Sequence, residues 1–110
     1  MKDKNQIQLV GYVGADPQVR THEDGKRVYL SIATHAPKYR KDNSGEVSYT
    51  TTWHNVVAWR RQAEYAEGNF VKGSRILVDG KIIYRRYKNK SGINCSTTQI
   101  DALNLINLDR

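Results

Sequence analysis

Apolar side chains recur at every second position through most of this chain, and at helical spacing in only one place. Successive residues of a strand point to opposite faces, so a period of two commits a chain to sheets that bury one face. Across residues 6–13 the positions Ile7, Leu9 and Val13 share a face with Gly11. A glycine inside a strand marks a bend or a close backbone approach. Gly14-Ala15-Asp16-Pro17 breaks this strand, and Glu23-Asp24-Gly25-Lys26 reads as a turn into a second strand over 27–35, with Val28, Leu30 and Ile32 in step. Residues 36–46 hold Pro37, Asn43-Ser44-Gly45 and basic side chains, and read as an exposed loop or long hairpin tip. A third strand over 47–59 is rich in Thr, Val and aromatics.

Residues 60–69 are the helical candidate: Ala63, Ala66 and Phe70 follow i, i+3, i+7 spacing, with Gly68 near the expected stop. Lys72-Gly73-Ser74 turns into a fourth strand over 75–87, and Asn89-Lys90-Ser91-Gly92 turns into a fifth over 93–108. The predicted order is three strands, a short helix and two strands. That order fits an all-β, five-stranded barrel of the oligonucleotide/oligosaccharide-binding (OB) type, with its one short helix between strands 3 and 4. Pattern alone also allows another small barrel. The 110 residues suit a single domain spanning 1–110.

Charge is uneven along this chain. The formal net charge is +7, and residues 72–90 carry seven basic side chains against one acid, a net of +6. Residues 35–61 carry five basic side chains against two acids, a net of +3. Concentrated positive charge favours a polyanionic partner, because neutralising phosphates releases condensed counterions. A charge run alone is also consistent with a solubilising surface. Aromatics are threaded through both basic segments, however: Tyr39, Tyr49, Trp53 and Trp59 in one, Tyr84 and Tyr87 in the other. Trp53 and Trp59 are six apart in one predicted strand and so share a face with Asn55 and Val57, whereas Thr52, His54, Val56 and Ala58 share the other. Flat rings for unpaired bases beside cations for the backbone are what single-stranded nucleic acid requires. Either tryptophan taken alone can also be read as core.

Catalysis finds little support, and neither a metal nor a cofactor is expected. His22, His35 and His54 lack metal-site spacing, no phosphate-cradling glycine loop is present, and the single Cys95 reads as an ordinary strand residue. No window approaches the roughly 18 consecutive apolar residues of a membrane span, and no signal-peptide pattern opens the sequence. A small, basic, intracellular domain is the expectation.

Several segments are individually specific. Gly14-Ala15-Asp16-Pro17-Gln18-Val19-Arg20, Thr52-Trp53-His54-Asn55-Val56-Val57-Ala58-Trp59, Phe70-Val71-Lys72-Gly73-Ser74 with Val78-Asp79-Gly80, and Tyr84-Arg85-Arg86-Tyr87 with Ser91-Gly92 occur in order over residues 5–108. Together they resemble bacterial single-stranded DNA-binding proteins. The resemblance implies an OB barrel that self-associates, as a homotetramer or else a dimer, and wraps single-stranded DNA without sequence preference in replication, recombination and repair. It implies base stacking on Trp53, Trp59, Tyr39 and Tyr87, with Tyr87 replacing a Trp and Trp59 replacing the usual Phe. It places Arg61, Lys72, Arg85 and Arg86 on or beside phosphate-facing positions, with Lys38 and Arg40 as further basic residues of the Tyr39 loop. Asn55 stands where the family usually has a basic residue. His54 matches a histidine that supports the subunit interface. A cytoplasmic, nucleoid-associated location follows from the same resemblance. The sequence ends Asn107-Leu108-Asp109-Arg110, without the linker and acidic tip through which most members recruit replication and repair proteins, so recruitment is not implied. The competing readings are a primosome-type OB adaptor that chiefly contacts other proteins, and an RNA-binding barrel.

Overall fold

In the computed structural model the described residues are 3–39 and 47–109, with the backbone alone for Tyr39. The chain runs β1 (Ile7–Val13), β2 (Gln18–His22), β3 (Gly25–Tyr39), β4 (Val47–Trp59), α1 (Arg60–Asn69), β5 (Arg75–Lys88) and β6 (Asn94–Asn107). Neighbours in the sheet are ordered β1-β5-β6-β4-β3-β2, and β1 pairs again with β3 at Tyr12↔Ala33 and Val13↔Ile32. That second pairing closes β1, β5, β6, β4 and β3 into a five-stranded barrel, with β2 left as an edge strand outside the closure. β4 and β6 meet in parallel at Val56↔Ile100 and Val57↔Asp101. No described helix is long and apolar enough to cross a membrane.

The period-two positions fill the interior as their spacing requires. Val13, Val28, Leu30, Ile32, Val56, Ala58, Ile76, Val78, Ile100 and Leu105 are buried together. Helix α1 presses Ala63, Ala66 and the following Phe70 into the same core. At Gly11 the barrel closes so tightly that a Cβ would overlap the carbonyl oxygen of Ala33, the close approach expected of that glycine.

Two segments differ from the sequence reading. Residues 18–22 form a strand: β2 pairs with β3 from Gln18↔Tyr29 to His22↔Gly25. No residue of β2 is fully buried, so it lacks the apolar period that would announce it, and pairing with its neighbour holds it instead. The helix therefore falls between β4 and β5 by strand count, at the same place in the chain. Pairing of β3 with β4 also runs on to Tyr39↔Val47, so residues 36–39 belong to a long hairpin arm. At the strand-to-helix junction Arg60 takes a left-handed φ of 50°, which turns the chain sharply from β4 into α1.

Candidate nucleic-acid interface

Register decides which side chains stand together outside the barrel. With Val28, Leu30, Ile32, Val56 and Ala58 inward, their alternates on β3 and β4 point outward as cross-strand pairs: Arg27↔Trp59, Tyr29↔Val57, Ser31↔Asn55 and Ala33↔Trp53. β2 extends this side with Gln18 beside Tyr29 and Arg20 beside Arg27. The two tryptophans share a side, as their spacing predicts.

Their surroundings differ. Trp53 is 60% exposed, and its indole lies over Gly14, where a Cβ would overlap the ring. Trp59 is half-buried: the Arg27 guanidinium sits 4.0 Å from the centre of its ring, and its Nε1 is buried without a hydrogen-bond partner. Arg27 Nη2 in turn donates to both carboxylate oxygens of Asp24, at 3.3 and 3.4 Å. That hydrogen bond and the adjacent positive charge hold the Asp24 carboxyl below the usual carboxylate range.

Three clefts that share Asn55 in their lining lie beside these strands. One of about 260 Å³ is lined by Trp53, His54, Asn55, Thr97, Thr98 and Ile100. A second, of about 210 Å³, runs from Thr97, Thr98 and Gln99 past Asn55 to Tyr29. A third, of about 180 Å³, continues from Tyr29, Ser31 and Asn55 to Ala15, Asp16 and Gln18. Asn55 lines all three and Tyr29 lines two. Arg20 stands 5.1 Å from the centre of the Tyr29 ring.

The β5–β6 arm splits its residues by the same alternation. Ile82 pairs with the buried Ile100, and Tyr84 and Arg86 follow on that inward side. Arg85 and Tyr87 pair with Thr97 and Cys95 on the outward side that continues from Val57 and Trp53. Tyr87 is 54% exposed. Arg86 instead lines a separate cleft of about 450 Å³ with Asn94, Cys95 and Ser96. The adjacent arginines thus face opposite ways, which their shared basic run conceals.

Among the remaining expected contacts, Arg61 is exposed in the first turn of α1, whose uncapped amide end already carries positive partial charge. Lys72 is exposed in the turn after α1, and its backbone N–H donates to Asp16 Oδ1 at 2.8 Å, beside the third cleft. Lys38 is exposed and pairs with Ser48, on the side opposite Trp53. Arg40 and the side chain of Tyr39 lie outside the described residues. His54 is half-buried on the inward side, with Nε2 2.9 Å from Thr34 Oγ1. Among the described residues no three His, Cys, Asp or Glu side chains gather as metal ligands.

The sequence reading passed over Tyr29, Arg20 and Arg27. Their signal lies in the alternates of Val28, Leu30 and Ile32, which must point outward once those three point in. Tyr49, already part of the aromatic set in the sequence, is 69% exposed on the Trp53 side.

Comparison with known proteins agrees with this geometry. The mitochondrial single-stranded DNA-binding proteins of Oryctolagus cuniculus and Rattus norvegicus are each 37% identical over 108 aligned residues, covering 93% of this chain and 73% and 72% of theirs. Both are mitochondrial, so they do not support a bacterial cytoplasm as the compartment. Among solved structures, one titled "Plasmodium falciparum SSB complex with ssDNA" superposes with a TM-score of 0.86 at 28% identity, over 99% of this chain and 98% of that one. The small single-stranded DNA-binding protein from Streptomyces coelicolor superposes with a TM-score of 0.76 at 23% identity, over 96% and 95%, a likeness of fold. Residues 4–108 match the family described as "Single-strand binding protein family". A closed OB barrel, an open indole beside clefts that share Asn55 and a basic hairpin arm accompany that match, and the chain belongs to the single-strand binding protein family.

Proposed function

We propose that this chain binds single-stranded DNA without sequence preference, laying it across the outward side of β3, β4 and the β5–β6 arm. Family membership supports the ligand class. The placement rests on one observation: Trp53 stands open beside the first of three clefts that share Asn55. A base stacks on Trp53, its neighbours pass the Asn55 clefts, and Arg85 with Tyr87 receives the strand where it reaches the arm. Arg61 and Lys72 add phosphate-neutralising charge. Arg86 and Lys38 stand on the other side of their arms, so a strand meets them only by wrapping round. Trp59 lies on the same side but beneath Arg27, and Tyr39 and Arg40 add a further ring and a further cation to the proposed contacts. All 110 residues act as one binding unit without catalytic chemistry, holding exposed strands open during replication, recombination and repair.

Self-association into a tetramer belongs to the same reading. Val10, Leu77 and Ile106 align across β1, β5 and β6 on the outward side of the barrel, and Val10 and Ile106 are more than two-fifths exposed. A second copy would bury this row, and His54 bonded to Thr34 would support subunit packing from within. Sedimentation of the chain alone counts the subunits. Titration with oligo-dT tests the ligand: tryptophan emission falls as bases stack, and affinity declines with salt at a slope of about −0.7 per phosphate contacted. Unchanged emission and anisotropy at saturating DNA would refute the proposal, and competition by a matched RNA oligomer reads the preference between the two nucleic acids.

A further inference from the structure

We infer that Tyr29, flanked by Arg20, is a base-stacking position of this chain, and that Trp59 is kept from stacking by Arg27. The inference rests on the DNA-binding reading and concerns which rings perform it. Trp59 has the larger π-face, but it is occupied. The Arg27 guanidinium covers it at 4.0 Å, and the Arg27 side chain is only 20% exposed. Asp24 holds the guanidinium in place through both carboxylate oxygens. A base reaching Trp59 must displace a cation from a ring and from a carboxylate together. The indole N–H and Arg27 Nε are both sealed from partners, which is how closely the two groups fit.

Tyr29 is held differently. It lines the second and third clefts together with Asn55, which also lines the cleft beside Trp53, so a strand stacked on Trp53 passes Tyr29 next. Arg20 lies over the ring at a looser 5.1 Å, is exposed, and has no carboxylate partner among the described residues. It is therefore free to move aside onto a phosphate, leaving the ring to a base. Ring and mobile cation together make the stacking and backbone-neutralising pair that single strands need.

Two tryptophans make the test direct. In Trp53→Phe the only indole is Trp59, so emission reports that site while the anisotropy of labelled oligo-dT reports binding. The expected result is saturable binding with little change in emission. Adding Arg27→Ala to this background then makes Trp59 strongly quenchable by the same DNA. Tyr29→Leu, in the otherwise native chain, weakens binding about tenfold, whereas Tyr29→Phe stays within about twofold, with thermal melts of both variants matching the parent. Full quenching of Trp59 with Arg27 in place overturns the proposal, as does a Tyr29→Leu variant that binds like the parent. Loss of affinity in Tyr29→Phe equal to that in Tyr29→Leu also overturns it, since the ring would not be the contact. A parent chain that leaves the anisotropy unchanged overturns the DNA reading itself, and this inference with it.

Discussion

Trp53 and Trp59 lie on the same strand and point to the same side, yet one is open and the other covered. Their cross-strand partners make the difference. Trp53 faces Ala33, too small to cover an indole, and leans over Gly14, which leaves room for the ring. Trp59 faces Arg27, whose planar guanidinium matches the indole face and is tethered by the acidic turn at Asp24. Availability of a ring for a ligand is thus a property of its register partner as much as of the ring. The β5–β6 arm repeats the lesson with charge, because Arg85 and Arg86 are adjacent in sequence and opposite in space.

Experiments that break or sharpen this contrast differ in expected size. Trp53→Ala removes the open ring and should weaken oligo-dT binding by about 1–3 kcal/mol, measured by anisotropy of labelled DNA. Trp59→Phe, under its arginine cover, should change affinity far less, and equal losses at the two positions would erase the distinction. Gly14→Ala pushes a methyl group into the space of the Trp53 indole and should weaken binding by roughly 1 kcal/mol, the low end of a stacking contribution, while Trp59 emission is untouched.

The two arginines of the arm give a smaller and more specific effect. Arg85→Ala should reduce the salt slope of binding to a short oligonucleotide by about 0.7, one phosphate contact, and Arg86→Ala should leave it in place. Equal slopes in the two variants would mean that the strand encircles the arm. The smallest effect is in pH. Asp24 is held below its ordinary value chiefly by its hydrogen bond to Arg27, so the pair stabilises the cover above the usual carboxylate range and weakens as pH falls through the lowered value. In Trp53→Phe, acrylamide quenching of Trp59 should rise slightly only once pH falls below the usual carboxylate range, and Asp24→Asn should show the raised quenching at neutral pH as well.

Much of the barrel was legible because alternating burial is written directly in the apolar pattern. The Ala63, Ala66 and Phe70 stripe marked the helix over 60–69 for the same reason. β2 was not legible, since an edge strand with no fully buried residue leaves no periodic signature and exists through pairing with β3. Within the interface, spacing alone placed Trp53 and Trp59 on one side and His54 on the other. Tyr29 and Arg20 were recoverable as the outward alternates of a strand already recognised, but their value emerges only when β2 and β4 are set beside them.

Alternation and composition by themselves therefore determined a small closed sheet, its buried face, the cationic arm and the presence of rings outside the core. These follow from local periodicity, which one strand expresses without knowledge of its neighbours. Tertiary structure decided the rest: that Arg27 lies on Trp59, that Gly14 makes room for Trp53, and that the three clefts share Asn55. Each of these depends on which residues sit opposite one another across the sheet, and a single strand carries no record of its partner's register.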